Sequence, residues 1–388
     1  MVKDDRLWTR NFTFIGIANL LMAIAFYFLL PTLPLYLKET LGATSGQVGL
    51  VLSFYTISAL LIRPFVGYAI DSIGRRLIYL LSFIVFSSLF IGYIFAISIG
   101  LMIIIRFLHG LTWGSLSTTG STIAVDFIPV SRRGEGISLF GLSMTIAMAI
   151  GPLIALTILS KVDYYWVFMS AAIVSILGLI LAMSIRFPIY KPLPNNQSFS
   201  MRRLIEKTSI PISLNVLLIT ITYGGILSFA AIYGKELGVA NSGLFFLLLA
   251  GGIAVSRFFS GTVFDRVGPF RIVIIGAILL TLGFPILFFL QNTWGFHSSA
   301  VLLGLGFGII MPTFQAMVNN LVPPERRGAA NSTYFTSFDL GIGLGMIFTG
   351  FISDKIGLGK TFFISSSIIV SALLLFILYS YKQYQNRC

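Results

Sequence analysis

Twelve long apolar runs, separated by short polar breaks, leave this chain few ways to fold. The runs lie near 12–37, 46–70, 77–97, 100–128, 135–160, 165–187, 209–237, 241–264, 271–291, 296–321, 328–352 and 358–381. Each is long enough to cross a hydrocarbon layer as a helix, which takes about 20 apolar residues. A membrane β-barrel instead requires short strands of alternating polarity. Only 10% of the 388 residues are charged and mean hydropathy is +0.95. Soluble domains carry about 25% charged residues, so lipid must be the solvent for most of this surface. The fold class expected is therefore an all-α membrane protein with twelve transmembrane helices.

The second constraint is a repeat. Arg63, Gly67, Asp71 and Gly74 reappear 194 positions later as Arg257, Gly261, Asp265 and Gly268. A separate stretch keeps the same offset, with Pro129, Arg132, Arg133 and Gly134 matching Pro323, Arg326, Arg327 and Gly328. One spacing shared by two motifs indicates a duplicated half. The expected organisation is a bundle of six helices over 1–187, a cytoplasmic linker over 188–208 and a second, pseudo-symmetric bundle over 209–388. Pro188 to Ser198 reads as an extended linker, and Met201 to Lys207 as a short helix on the membrane surface.

The net charge of +13 does not form a nucleic-acid patch, because the basic residues sit in short clusters between apolar runs. Their distribution sets orientation instead. Of 26 Lys and Arg residues, 18 fall in the tails and loops on the side of the N-terminus, five on the other side and three within runs. Both termini are expected in the cytoplasm. The single cysteine, Cys388, rules out a disulfide within the chain, and no Cys/His spacing suits a metal. No phosphate loop or nucleophile elbow is present, and no segment between runs exceeds about 25 residues, too short for a catalytic or sensing domain. No cofactor is expected.

Gly67-x3-Asp71-x2-Gly74-Arg75-Arg76 sits between the second and third runs. It reads either as a tight turn that fixes topology or as a functional loop. The pattern resembles the cytoplasmic loop motif of the major facilitator superfamily of secondary transporters. Arg106-Phe-Leu-His-Gly110 is similar to that family's arginine-and-glycine element in the fourth helix, and Gly141-x9-Gly151-Pro152 to part of the element found in proton-coupled exporters. The resemblance implies the major facilitator fold. It also implies a monomeric proton-coupled antiporter that exports a small organic molecule across the bacterial plasma membrane by alternating access. Its drug and sugar efflux branch fits best; uptake of a sugar or organic anion by symport, or export of a metal-chelating opine, are the alternatives. By the same resemblance Asp71 would latch the halves, with Arg75 and Arg76 as partners. The second copy, Asp265 with Gly261 and Gly268, has lost the first arginine to Pro269.

The repeat also sorts charges into scaffold and candidates. Arg63 and Arg257 match, and both are expected to snorkel to the headgroups. Asp126, opposite Asn320, either joins Arg75, Arg76 or Arg132 in a gate or forms a surface pair. Asp339, Arg106, His109 and Glu135 have no charged counterpart, since Thr145, Ala300, Leu303 and Ala329 stand in their places. Asp339 lies about 16 Å into its run at 1.5 Å per residue. A charge at that depth costs at least about 2.5–3.5 kcal/mol without water, a partner or a proton. Proton coupling competes there with a structural hydrogen bond to a neighbouring helix. Arg106 and His109 share a helical face; His109 either carries protons or packs. Glu135 either binds substrate or caps a helix start. Tyr27, Trp113, Tyr223, Tyr334 and Phe338 fall at depths where a cavity would be lined, although any one aromatic here is more often packing.

Overall fold

A computed structural model of the chain describes residues 6–43, 45–187, 204–239 and 242–387. Among these the regular structure is helical: α1 Arg10–Glu39, α2 Ser45–Ser72, α3 Arg75–Ile94, α4 Ile99–Phe127, α5 Arg133–Leu159, α6 Tyr164–Met183, α7 Ile210–Glu236, α8 Leu244–Val267, α9 Pro269–Phe289, α10 Thr293–Asn320, α11 Arg327–Ile356 and α12 Leu358–Leu375. The last continues through a π turn, Phe376–Ser380, into Tyr381–Gln385. Twelve helical segments are long and apolar enough to span a membrane, as the run pattern predicts. The chain is a multi-pass membrane protein. The linker from Pro188 to Ser198 and the first three residues of the surface helix expected over Met201 to Lys207 lie outside the described residues; the next three are not helical, and Glu206 caps a short turn, Lys207–Ser209, by accepting from the Thr208 amide at 3.2 Å.

The helices form two compact units: the described parts of Met1–Pro129, Leu142–Ile205 and Pro324–Ser332, and those of Val130–Gly141, Glu206–Pro323 and Thr333–Cys388. The starts of α5 and α11 thus pack with the unit built from the other half of the sequence. Within the first unit α4 packs on α2 and α3, and α6 on α1 and α3. Within the second, α10 packs on α8 and α9, and α12 on α7 and α9. These are the same pairs shifted by six helices.

Glycine spacing explains the central crossing in each unit. A Cβ on Gly114 of α4 would stand 2.6 Å from the Ile62 side chain and 2.7 Å from the Ala59 carbonyl of α2. On Gly308 of α10 it would stand 2.7 Å from the Ile253 carbonyl of α8. Gly110 and Gly304, four residues earlier, meet the Tyr55 and Leu249 carbonyls just as closely. Small residues four apart let two helix backbones touch in a membrane, where dispersion rather than the hydrophobic effect drives association. Helix starts are repeated as well: Ser98 accepts the Leu101 amide at 3.2 Å, and Asn292, its counterpart, accepts the Gly295 amide at 2.8 Å. Both are favoured N-cap residues.

Candidate functional site

The repeated loop motif does different work at each of its glycines. Gly74 and Gly268 have φ of 116° and 77°, a region where side chains with a Cβ are strained. They turn the chain between α2 and α3 and between α8 and α9. Gly67 and Gly261 are helical and are needed for close approach. A Cβ on Gly67 would lie 2.5 Å from the Ser332 Cβ, and one on Gly261 would run into the Gly134 backbone.

These glycines bring a carboxylate to a helix start. Asp71, 1% exposed, accepts from the Gly328 and Ala329 amides at 3.0 and 2.8 Å. Asp265 accepts from the Gly134 and Glu135 amides at 2.8 and 2.9 Å. Each aspartate thus caps a helix begun by the matching Pro-x2-Arg-Arg-Gly turn, α11 in one case and α5 in the other. The first amides of a helix lack intrahelical acceptors and carry partial positive charge, so a carboxylate is well placed there. The motif resemblance makes Arg75 and Arg76 the partners of Asp71; its hydrogen bonds go instead to main-chain amides. Arg75 donates to Asp126 and to the Pro324 carbonyl. Arg76 lies 6.0 Å from the Phe187 ring centroid. Lost to Pro269, the missing arginine therefore leaves the amide contacts of Asp265 intact.

Asp126 is 6% exposed and bridges Arg75 and Arg327, the latter at 2.8 Å. It is a buried pair, not a surface one, and Arg132 is not in it. Arg132 forms a two-pronged bond to Glu135, at 2.7 and 2.6 Å, within the first turn of α5. The matched arginines do not snorkel. Arg63 is 2% exposed and donates to Ser117 and Thr118 of α4 at 3.0 and 3.1 Å, while Ser332 donates to its main-chain carbonyl at 2.6 Å. Arg257 donates to the Gly141 carbonyl of α5.

Arg106, His109, Trp113 and Tyr27 come together in the first unit around an aromatic cluster. Phe26 sits 5.3 Å from Tyr27, 5.1 Å from Tyr55 and 4.3 Å from Trp113, centroid to centroid. The Arg106 guanidinium carbon lies 4.4 Å from the Tyr55 centroid, a cation–π contact. Arg106 is 5% exposed, and its Nε and Nη1 find no acceptor among the described residues. His109 is fully buried, with Nδ1 3.0 Å from the Tyr93 hydroxyl and its ring 4.4 and 4.8 Å from those of Phe86 and Phe90. Tyr55 and Phe26 escaped the sequence reading; Tyr55 sits where α2 crosses Gly110, a contact that the Gly110-x3-Gly114 spacing signals.

The remaining candidates belong to the second unit. Tyr334, 3% exposed, donates to the Met311 carbonyl at 3.0 Å and stacks on Phe338 at 6.4 Å. That bond ties the end of its ring to α10. Tyr223 lies 4.7 Å from Phe307. Asp339 is half-buried, thirteenth of the 30 residues of α11. Gly151 of α5 is pressed against α1, since a Cβ there would lie 2.7 Å from the Tyr27 Cβ.

Comparison with known proteins agrees with this architecture. The staphylopine export protein of Staphylococcus aureus is 25% identical, over 86% of this chain and 87% of its own. Multidrug resistance protein MdtG of Enterobacter lignolyticus is 25% identical, over 94% and 90%. In fold the chain matches the crystal structure of the human organic anion transporter MFSD10, with a TM-score of 0.82, 15% identity and coverage of 94% and 98%. The model of the major facilitator superfamily matches residues 15–346, and the chain belongs to that superfamily of membrane transporters.

Proposed function

We propose that this transporter is a proton-coupled antiporter of the bacterial plasma membrane, exporting a small organic molecule by alternating access as a monomer. The observation that carries the reading is that relatives named for export match along nearly the full chain. Coupling is assigned to Asp339, the acid within a span that has no counterpart in the other half. The carboxyl takes a proton at one side and gives it up at the other as substrate replaces it. Asp71 and Asp265 hold the starts of α11 and α5 in one state and release them in the other. Asp126 stabilises that state through Arg75 and Arg327.

One observation favours an anionic group on the substrate: the buried Arg106 guanidinium, two of whose nitrogens lack acceptors among the described residues. An opine, which carries carboxylates, fits that feature, and uptake of an organic anion is the competing direction.

The test uses inside-out vesicles energised to acidify their interior, with a pH-sensitive dye reporting protons. Ethidium and a carboxylate-bearing opine are the two probes. Export by antiport predicts accumulation of at least one probe, abolished by a protonophore, and release of protons on its addition. Accumulation without proton movement, or accumulation only in right-side-out vesicles, overturns the proposal.

A further inference from the structure

Beside the loop motif, in the first unit, the structure holds a cavity of about 820 Å³ between α3 and the end of α6, floored by Ile123 of α4. Its walls include Leu77, Leu81 and Ile84 of α3 and Met183 of α6, all exposed. In a transporter these side chains face hydrocarbon, so whatever fills the groove along them is apolar. The rim at one end is different in kind. Arg75, Arg76 and Arg186 line it, and no acidic residue does among the described residues.

The three arginines are not equivalent. Arg75 is engaged by Asp126 and the Pro324 carbonyl. Arg76 and Arg186 are exposed, and neither is in a salt bridge among the described residues. Arg186 is held in place through its main chain, which exchanges two hydrogen bonds with the Asn11 side chain at 3.2 and 3.1 Å. Arg76 stands near the Phe187 ring. Between them α3 begins at Arg75, behind Gly74, which offers no side-chain cap to the first amides. Two guanidinium groups with no salt bridge among the described residues, and a helix start with no side-chain cap, therefore border one end of an apolar groove.

We propose that this groove binds one anionic phospholipid, with its phosphate between Arg76 and Arg186 and an acyl chain along α3. The dimensions fit. From Gly74 to Ile84 the helix rises about 15 Å at 1.5 Å per residue, which is about half of a hydrocarbon core of roughly 30 Å. One lipid tail in one leaflet has that reach. Charge selects the headgroup: among the described residues the rim carries three arginines and no carboxylate to receive an ammonium, so phosphatidylglycerol suits it and phosphatidylcholine does not. The apolar walls select a lipid over free phosphate.

The test is retention of lipid by the purified full chain after delipidation in neutral detergent, read by native mass spectrometry. Phosphatidylglycerol and phosphatidylcholine with identical acyl chains are offered together. The parent is expected to keep one phosphatidylglycerol. Arg76→Gln/Arg186→Gln is expected to lose about fivefold in affinity per guanidinium, or roughly twenty-five-fold together, on the scale of arginine near an anionic membrane surface. Arg266→Gln/Arg271→Gln, which removes equal charge from the second unit, should retain lipid as the parent does. Leu80→Trp leaves every charge in place and narrows the groove; it should weaken retention too, and it carries the test if the double variant fails to fold. Equal retention of both lipids, unchanged retention in Arg76→Gln/Arg186→Gln and Leu80→Trp, or displacement by millimolar inorganic phosphate each overturns the proposal.

Discussion

Asp126 accepts a hydrogen bond from Arg327 at 2.8 Å, and the residue at its repeat position, Asn320, accepts one from Arg133 at 2.6 Å. The geometry is shared and the charge is not. Asp126 also holds Arg75, whereas Asn320 donates to the Tyr384 hydroxyl at 3.0 Å. The two helix starts are therefore held with different strength. Removing one partner of a buried ion pair costs about 3–5 kcal/mol because the other charge is stranded. Asp126→Asn is expected to lower transport tenfold or more and to raise protease cleavage at the start of α11. Asn320→Asp should change transport less than about threefold. Equal effects of the two would show that the charge contributes nothing.

Asp71 is tested by a reporter on the helix it caps. Ser332 is fully buried and contacts Gly67. Ser332→Cys in a Cys388→Ser background should react slowly with a maleimide. Asp71→Asn keeps one acceptor and loses the charge, a loss of about 1.5–3 kcal/mol for a hydrogen bond to a charged group. Labelling should then rise roughly tenfold to a hundredfold, since 1.4 kcal/mol is one decade. Asp265→Asn should leave this reporter nearly unchanged, because Asp265 caps α5. Unaltered labelling in Asp71→Asn would remove the aspartate from the latch.

Close packing at Gly67 makes a separate prediction. The Gly67→Ala methyl would lie 2.5 Å from the Ser332 Cβ, so the helices must separate; overpacking of this kind costs about 1–3 kcal/mol. Transport should fall about tenfold, and Ser332→Gly should restore much of it in the double variant. Gly251→Ala, with nothing within 4 Å of its added carbon, should be neutral or slightly stabilising. Failure of Ser332→Gly to rescue would mean that Gly67 serves something other than this contact.

Asp339→Asn separates proton coupling from hydrogen bonding, because the amide keeps the shape and cannot titrate. Gradient-driven flux in liposomes is expected to drop at least a hundredfold while exchange of bound substrate continues. Near-normal flux with protons still moving would make Asp339 a structural residue.

Orientation is tested at Cys388, which lies outside the described residues. With both termini in the cytoplasm, a membrane-impermeant maleimide should label it in inside-out vesicles and lysed cells, and not in intact cells. Strong labelling of intact cells would invert the topology.

The sequence by itself determined the spans, the repeat and the place of the loop motif. Hydrocarbon demands a run of about 20 apolar residues for each crossing, and a local requirement of that kind is legible residue by residue. Gly74 and Gly268 belong to the same class, since a positive φ is a property of one residue. The tertiary structure alone decided which partner each polar group found. Asp71 stands four residues before Arg75 in the chain, yet it caps a helix that begins 256 residues later; Arg63 and Arg257 turn to a serine, a threonine and a carbonyl of neighbouring helices. In a bundle whose bulk is apolar, every buried donor and acceptor must be satisfied by whatever polar group lies nearest in space. Distance along the chain carries no information about that neighbour, so the rings around His109 and the Met311 carbonyl that takes the Tyr334 hydroxyl came into view only in the tertiary structure.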